Sequence, residues 1–123
     1  MSRLERQAAF RVGLNAETRA GWLLRLKGYR LLARRFKVPG GEIDLIARRG
    51  GTLVFVEVKA RADLAVALEA ITPTQQRRIA TAARAWLARH PDQTQLIQRF
   101  DAVFVMPRRW PRHQANWFEM DLG

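Results

Sequence analysis

Gly41-Glu42-Ile43-Asp44-Leu45-Ile46-Ala47 and Val54-Phe55-Val56-Glu57-Val58-Lys59-Ala60-Arg61 are two strand-like runs, joined through Arg49-Gly50-Gly51-Thr52. Glycine tolerates φ > 0, so a Gly-Gly pair between apolar, β-branched runs is a strong hairpin signal. With Gly50 and Gly51 at the turn's centre, Asp44 faces Glu57 and Glu42 faces Lys59 across the strands. Strand side chains alternate, so positions 42, 44, 57 and 59 share one face, and Ile43, Leu45, Val54, Val56 and Val58 form the other. Ile46 and Phe55 continue the charged face as apolar residues. Both faces therefore need cover, which predicts strands inside an α/β sandwich with the charged residues at one end.

Two carboxylates placed directly opposite have Cβ atoms roughly 5 Å apart and destabilise a sheet. At an effective dielectric near 20 they repel by about 3 kcal/mol. Either a proton is shared between Asp44 and Glu57 or a cation sits there. A hard divalent ion such as Mg²⁺ accepts carboxylate oxygens plus water. Lys59 would reach the same rim, where it could orient an attacking water or stabilise charge developing on a phosphate. The competing reading is a plain ion-pair network: Glu42 against Lys59, with Asp44 and Glu57 each finding one of the chain's 19 arginines.

Outward from the hairpin (42–61), the chain predicts one domain over 1–123. A first helix is expected over about 3–28, with Asn15 as an internal N-cap. Ala16, Ala20, Leu23, Leu24 and Lys27 recur at helical spacing, and Gly28 stops it. Tyr29 to Val38 reads as a strand ending in the Pro39-Gly40-Gly41 turn. Thr72-Pro73-Thr74-Gln75 is a capping box with proline at the first helical position. It opens a second long helix over about 73–90, whose stripe is Ile79, Ala82, Ala83, Trp86 and Leu87. Phe100 to Met106 is a further strand, and the basic tail 107–123 adds a short one around Trp117-Phe118. Trp22 and Trp86 read as core. Trp110 and Trp117 could stack on bases, with packing of the C-terminus the favoured reading. Asp101 is expected to fix a strand start and His90 to sit at a helix end; His113 lies in the basic tail with no partner at metal-ligand spacing.

Twenty-two basic residues stand against 11 acidic ones, giving a net charge of +11 and a pI near 11.7. Such a field attracts polyanions and binds nucleic acid without sequence preference. Codon bias toward arginine is the alternative source of the excess. There is no cysteine, hence no disulfide framework or thiolate metal site. No run approaches the ~20 apolar residues of a membrane span, and Met1 to Arg11 has no signal-peptide core. A cytoplasmic protein with no membrane association is the expectation.

The Gly41-Glu42-Ile43-Asp44 strand, followed at hairpin spacing by Glu57-Val58-Lys59, resembles the YraN family. These are small bacterial proteins similar to Holliday-junction resolvases and related to the PD-(D/E)xK nuclease superfamily. The likeness runs from about Leu14 to Val105 and includes Gly28-Tyr29 and Arg99-Phe100-Asp101. It implies a restriction-endonuclease-like three-layer α/β core, a mixed β-sheet flanked by helices. It also implies a metal-dependent endonuclease acting on DNA (more than RNA), branched or structured substrates included. Asp44 and Glu57 would be Mg²⁺ or Mn²⁺ ligands, Glu17 a third, and Lys59 the catalytic lysine. Glu42 is the accessory carboxylate: it would assist the metal, pair with Lys59 or cap the strand end. Arg61 and Gln76 would contact nucleic acid, Gln76 standing where relatives often carry lysine. The loop Ala62 to Leu68 lacks a glycine common there. A homodimer would suit an enzyme that works across a branch. The alternative is a non-catalytic nucleic-acid-binding or adaptor protein that retains the fold.

Overall fold

A computed structural model describes residues 16–61, 71–120 and 122. Residues 16–26 are helical (α1). They are followed by β1 (Arg30–Val38), β2 (Gly41–Arg49), β3 (Thr52–Ala60), α2 (Pro73–Arg89), a 3₁₀ turn (Pro91–Gln93), β4 (Ile97–Val105) and β5 (Arg112–Phe118). The five strands form one sheet in the order β1-β2-β3-β4-β5. Only the β3–β4 pair is parallel. A parallel pair needs a crossover connection, and α2, which lies between those strands in the chain, supplies it. The fold is thus α/β, as the alternation of helix-period and strand-period runs predicts. The expected first helix below residue 16 and the loop Ala62 to Leu68 lie outside the described residues. No described helix is long and apolar enough to cross a membrane.

Each face of the sheet carries its own core. Ala16, Ala20 and Leu24 of α1 pack on Leu45, Ala47, Val54, Val56, Val103 and Val105. Ile79, Ala82, Ala83 and Trp86 of α2 pack on Ile43, Ile46, Leu53, Phe55 and Phe100. Gly28 ends α1 at φ +92. Its N–H bonds to Arg25 O and that of Tyr29 to Leu24 O, so both end carbonyls are satisfied and Tyr29 turns into the core. Thr72 and Gln75 exchange the two bonds of a capping box at the start of α2, as the sequence predicts. Trp22 departs from expectation: it is 59% exposed. Two residues from both Ala20 and Leu24, it points roughly 200° away from their stripe.

The hairpin keeps the predicted register from Arg49↔Thr52 to Leu45↔Val56 and then stops. Beyond it, β2 stays with β1 down to Gly41↔Val38, while β3 stays with β4 up to Ala60↔Val105. The two strands diverge at Asp44 and Glu57. β1 and β2 both change face at this level. Arg35, whose register places it opposite Asp44, has φ 48, a backbone region non-glycine residues rarely enter. Past this kink Ile43 packs under α2, although Leu45, two residues on, packs under α1. The expected common face for Ile43 and Leu45 is therefore wrong, because an irregularity re-aims the side chains around it.

Gly41 explains how α2 comes so close. A Cβ there would stand 2.7 Å from both Ala82 N and Arg78 O, in the backbone of the helix. Gly41→Ala is expected to push α2 off β2 and cost about 2 kcal/mol, an overpacking effect, read as a lowered melting temperature. An unchanged midpoint would show that the helix shifts freely.

Candidate active site

The divergence of β2 and β3 creates the site. Where the ladder would continue, Val58 N–H donates instead to Asp44 Oδ2 at 2.7 Å. That bond satisfies a backbone group exposed by the splaying and fixes the Asp44 carboxyl between the strands. Glu57 follows Val56 on β3. Since Val56 and Val58 pack toward α1 and Phe55 toward α2, alternation puts Glu57 and Lys59 on the α2 side of the sheet.

Both carboxyls are half-buried and hold protons unusually tightly. Burial pushes Asp44 up to about 6; the charges of Glu17 and Glu42 add to this, and the Val58 bond and Lys59 oppose it. Burial pushes Glu57 up to about 8, helped by the charge of Asp44, by Glu42 and by a hydrogen bond to the Asp44 carboxyl, against the pull of Lys59. Among the described residues no guanidinium or ammonium forms an ion pair with either group. Among the described residues, then, the competing ion-pair network has no member at Asp44 or Glu57.

The linkage to stability follows directly. Folding raises both values above the unfolded ones, so the metal-free protein loses stability as pH rises from about 4 through about 8. Glu57→Gln is expected to relieve this. In chelator at pH 8 its melting temperature rises by about 6 °C, on the order of 2 kcal/mol, and the gain vanishes at pH 5. Calorimetry at the two pH values checks it; a variant less stable at pH 8 would mean the Glu57 charge is already compensated.

The remaining predicted residues divide. Glu17 is near enough for its charge to act on Asp44, but its Oε2 accepts from Arg35 Nε at 2.8 Å. Glu42 does not face Lys59: the strands have parted, and it instead meets Lys37 at 4.0 Å and Arg78 at 3.9 Å. The Lys59 ammonium lies 5.6 Å from the Trp117 ring centroid, and Trp117 packs edge-on against Phe104. The favoured reading of Trp117 as packing holds; that of Trp110 fails, at 77% exposed. Arg61 donates to Ala60 O. Gln76 lines a cavity of about 460 Å³ with Arg77, Arg84 and Met120, and no hydrogen bond joins it to the carboxylates. His90 caps α2 and stacks on Trp86.

A polar network escaped the sequence reading. Asp101 lies inside β4 rather than at its start and is fully buried. It accepts from Arg99 Nε and NH2, from His113 and from Asn116 N–H. Arg99 also donates to the Tyr29 hydroxyl at 2.6 Å. His113 bonds Asp101 through Nε2 and Lys27 through Nδ1. A carboxylate can only accept and an ammonium only donate, so the partners assign Nε2–H and an accepting Nδ1. The one signal available was the alternation of Arg99 and Asp101 around Phe100, at the start of a run that is apolar from Ala102 to Val105.

A sequence model of the uncharacterised protein family UPF0102 matches residues 16–105. A UPF0102 protein of Bradyrhizobium sp. (strain ORS 278) is 62% identical over 115 residues, covering 94% of this chain and 82% of its own length. One from Rhodopseudomonas palustris (strain BisA53) is 58% identical, covering 94% and 88%. One from Chelativorans sp. (strain BNC1) is 57% identical, covering 94% and 93%. Asp44, Glu57, Lys59, Asp101 and Tyr29 all fall within the matched family region.

Proposed function

Because this chain belongs to the uncharacterised family UPF0102, its chemistry has to be read from its own site, and we propose that it is a divalent-metal-dependent endonuclease acting on DNA. The observation that carries this is the pair Asp44 and Glu57: two half-buried carboxyls in direct contact, with no ion-pair partner among the described residues, in a chain of net charge +11. On this reading the sheet, with a helix on each face, is the restriction-endonuclease-like core of the PD-(D/E)xK nucleases, and the hairpin's divergence is where that core works.

The donor set fits a hard divalent cation. Mg²⁺ or Mn²⁺ is commonly held by one or two carboxylates, with water and phosphate oxygens completing the shell. Among the described residues no three acidic or histidine groups converge as a ready cage. Asp44 and Glu57 would therefore hold the ion with help from substrate, and Glu17 would join only by leaving Arg35. Such an ion supplies, when bound, Lewis acidity toward a phosphate oxygen. Lys59 positions the attacking water or meets charge building on the phosphate, and the arginines hold the DNA backbone.

The test is incubation of the purified protein with branched, nicked and single-stranded DNA in Mg²⁺ or Mn²⁺, beside a Lys59→Ala control. Cleavage by the wild type and none by the control supports the reading. Cleavage by both points to a contaminant. No cleavage by either, with salt-dependent binding retained, makes the protein a nucleic-acid adaptor instead and ends the enzymatic proposal.

A further inference from the structure

α1 covers the sheet face opposite the one that carries Glu57 and Lys59, and its outer side is not plain solvated helix. Trp22 and Leu26 stand 59% and 70% exposed there, and Trp110 from the β4–β5 turn stands 77% exposed. Isolated apolar residues on a surface need no explanation, but a contiguous group does. These three line a single groove of about 430 Å³ with Arg19, Arg108 and Arg109.

The turn that forms its far wall is held in place. Arg19 NH1 donates to Met106 O at 3.1 Å, and its NH2 donates to Arg109 O. Arg108 between them has φ 58, a strained region for a side-chain-bearing residue, which persists only where its surroundings enforce it. Arg19 thus anchors the turn. Arg108, Arg109 and Trp110 are all exposed at the lip of the groove. Beside Trp22, the Arg25 guanidinium sits 5.3 Å from the ring centroid.

We propose that this groove binds single-stranded nucleic acid, with bases stacking on Trp22 and Trp110 and the backbone phosphates meeting Arg25, Arg108 and Arg109. Flat aromatic faces interleaved with arginine are the features a strand of unpaired bases requires: every base has a π face, and every linkage a negative charge. A duplex offers no free base faces. Among the described residues the lining contains no carboxylate, so a second copy docked symmetrically here would bring arginine against arginine. The proposal goes beyond the hydrolytic reading and concerns a different surface.

It is tested on the full chain by anisotropy of a labelled oligothymidylate of about fifteen nucleotides, in chelator. Under those conditions a protein that never cleaves DNA gives the same isotherm, so failure of the nuclease reading cannot be mistaken for failure of this one. Trp22→Ala and Trp110→Ala are each expected to weaken binding about tenfold, with melting temperatures unchanged because both rings are largely exposed. An abasic chain of equal length is expected to bind the wild type no better than oligothymidylate binds Trp110→Ala. Equal affinity of the wild type for both probes, or full affinity in the double variant, overturns the proposal. So does a concentration-dependent dimer that the double variant lacks, which would assign the groove to a second copy. Binding to anionic phosphatidylserine vesicles through the same two tryptophans, without oligonucleotide binding, overturns it in favour of a lipid surface.

Discussion

Lys59→Ala is expected to lower DNA cleavage by about a hundredfold to a thousandfold, the scale on which a single electrostatic group at a reacting centre is felt, while leaving divalent-cation binding intact or slightly tighter. The two halves of this expectation have separate causes. Lys59 is two residues from Glu57 on β3, and its charge lowers the proton affinity of both Asp44 and Glu57. It therefore helps the carboxyls ionise, but it also repels a second cation placed between them. Removing it leaves the ligands where Val58 N–H and the strand backbone hold them. What goes is the one ammonium that the hairpin supplies to a phosphate or to the attacking water. Asp44→Asn separates the roles: it is expected to lose both cleavage and the rise in melting temperature expected of the wild type in Mn²⁺. A Lys59→Ala protein that loses the Mn²⁺ shift as well would make Lys59 part of the cation site's architecture. One that cleaves normally would remove it from the chemistry.

The sequence legibly carried the elements and the central register, because these depend on local signals. Gly50-Gly51 sets the pairing from Leu45↔Val56 to Arg49↔Thr52, and Thr72 to Gln75 sets where α2 begins. What it could not carry was where the hairpin comes apart. That is decided by competition: β1 holds β2 across the tight Pro39-Gly40 turn and β4 holds β3, and the second contact, formed across α2, is not local in sequence. The consequence was a wrong partner for Glu42, which follows β1 and α2 rather than Lys59, and a wrong face for Ile43. The positive φ of Arg35 leaves no trace in residue type, since glycine or asparagine would be the usual signals there. Trp22 is a different sort of failure. Its angle to the Ala16-Ala20-Leu24 stripe is legible in the residue numbers, and on a helix that angle decides burial over hydrophobicity. The side chains that sequence alone paired, Asp44 and Glu57, do meet, although through a side-chain contact at the fork rather than as rungs of a ladder.

Asp101→Ala is expected to be the most damaging single change to stability, at about 4 kcal/mol and roughly 10 °C or more in melting temperature. Asp101 has no solvent exposure, and it neutralises and bonds Arg99 while accepting from His113, whose side chain is only 3% exposed. Truncation leaves a guanidinium and an imidazole facing a cavity, and breaking a buried pair from one side costs far more than the pair ever contributed. It also frees Asn116 N–H, whose bond to Oδ1 supports β5 at a residue with φ 53. The loss therefore spreads from β4 into β5 and, through Tyr29, to the end of α1. Burial works to raise the carboxyl's proton affinity, but the bonds from His113, Arg99 and Asn116 outweigh it and hold the group down to about 2. A value depressed from 3.8 means stability that is present above pH 4 and lost as pH falls through about 2. Asp101→Asn, which keeps one acceptor and the shape, is expected to fall between the wild type and Asp101→Ala. Both variants should show a flatter acid limb than the wild type between pH 4 and pH 2. Because Glu57 and Asp44 titrate higher and with the opposite sign, the two effects separate along the pH axis. Combining Asp101→Asn with Glu57→Gln is then expected to flatten both limbs independently, and a non-additive result would show that the fork and the buried network share strain through β3 and β4.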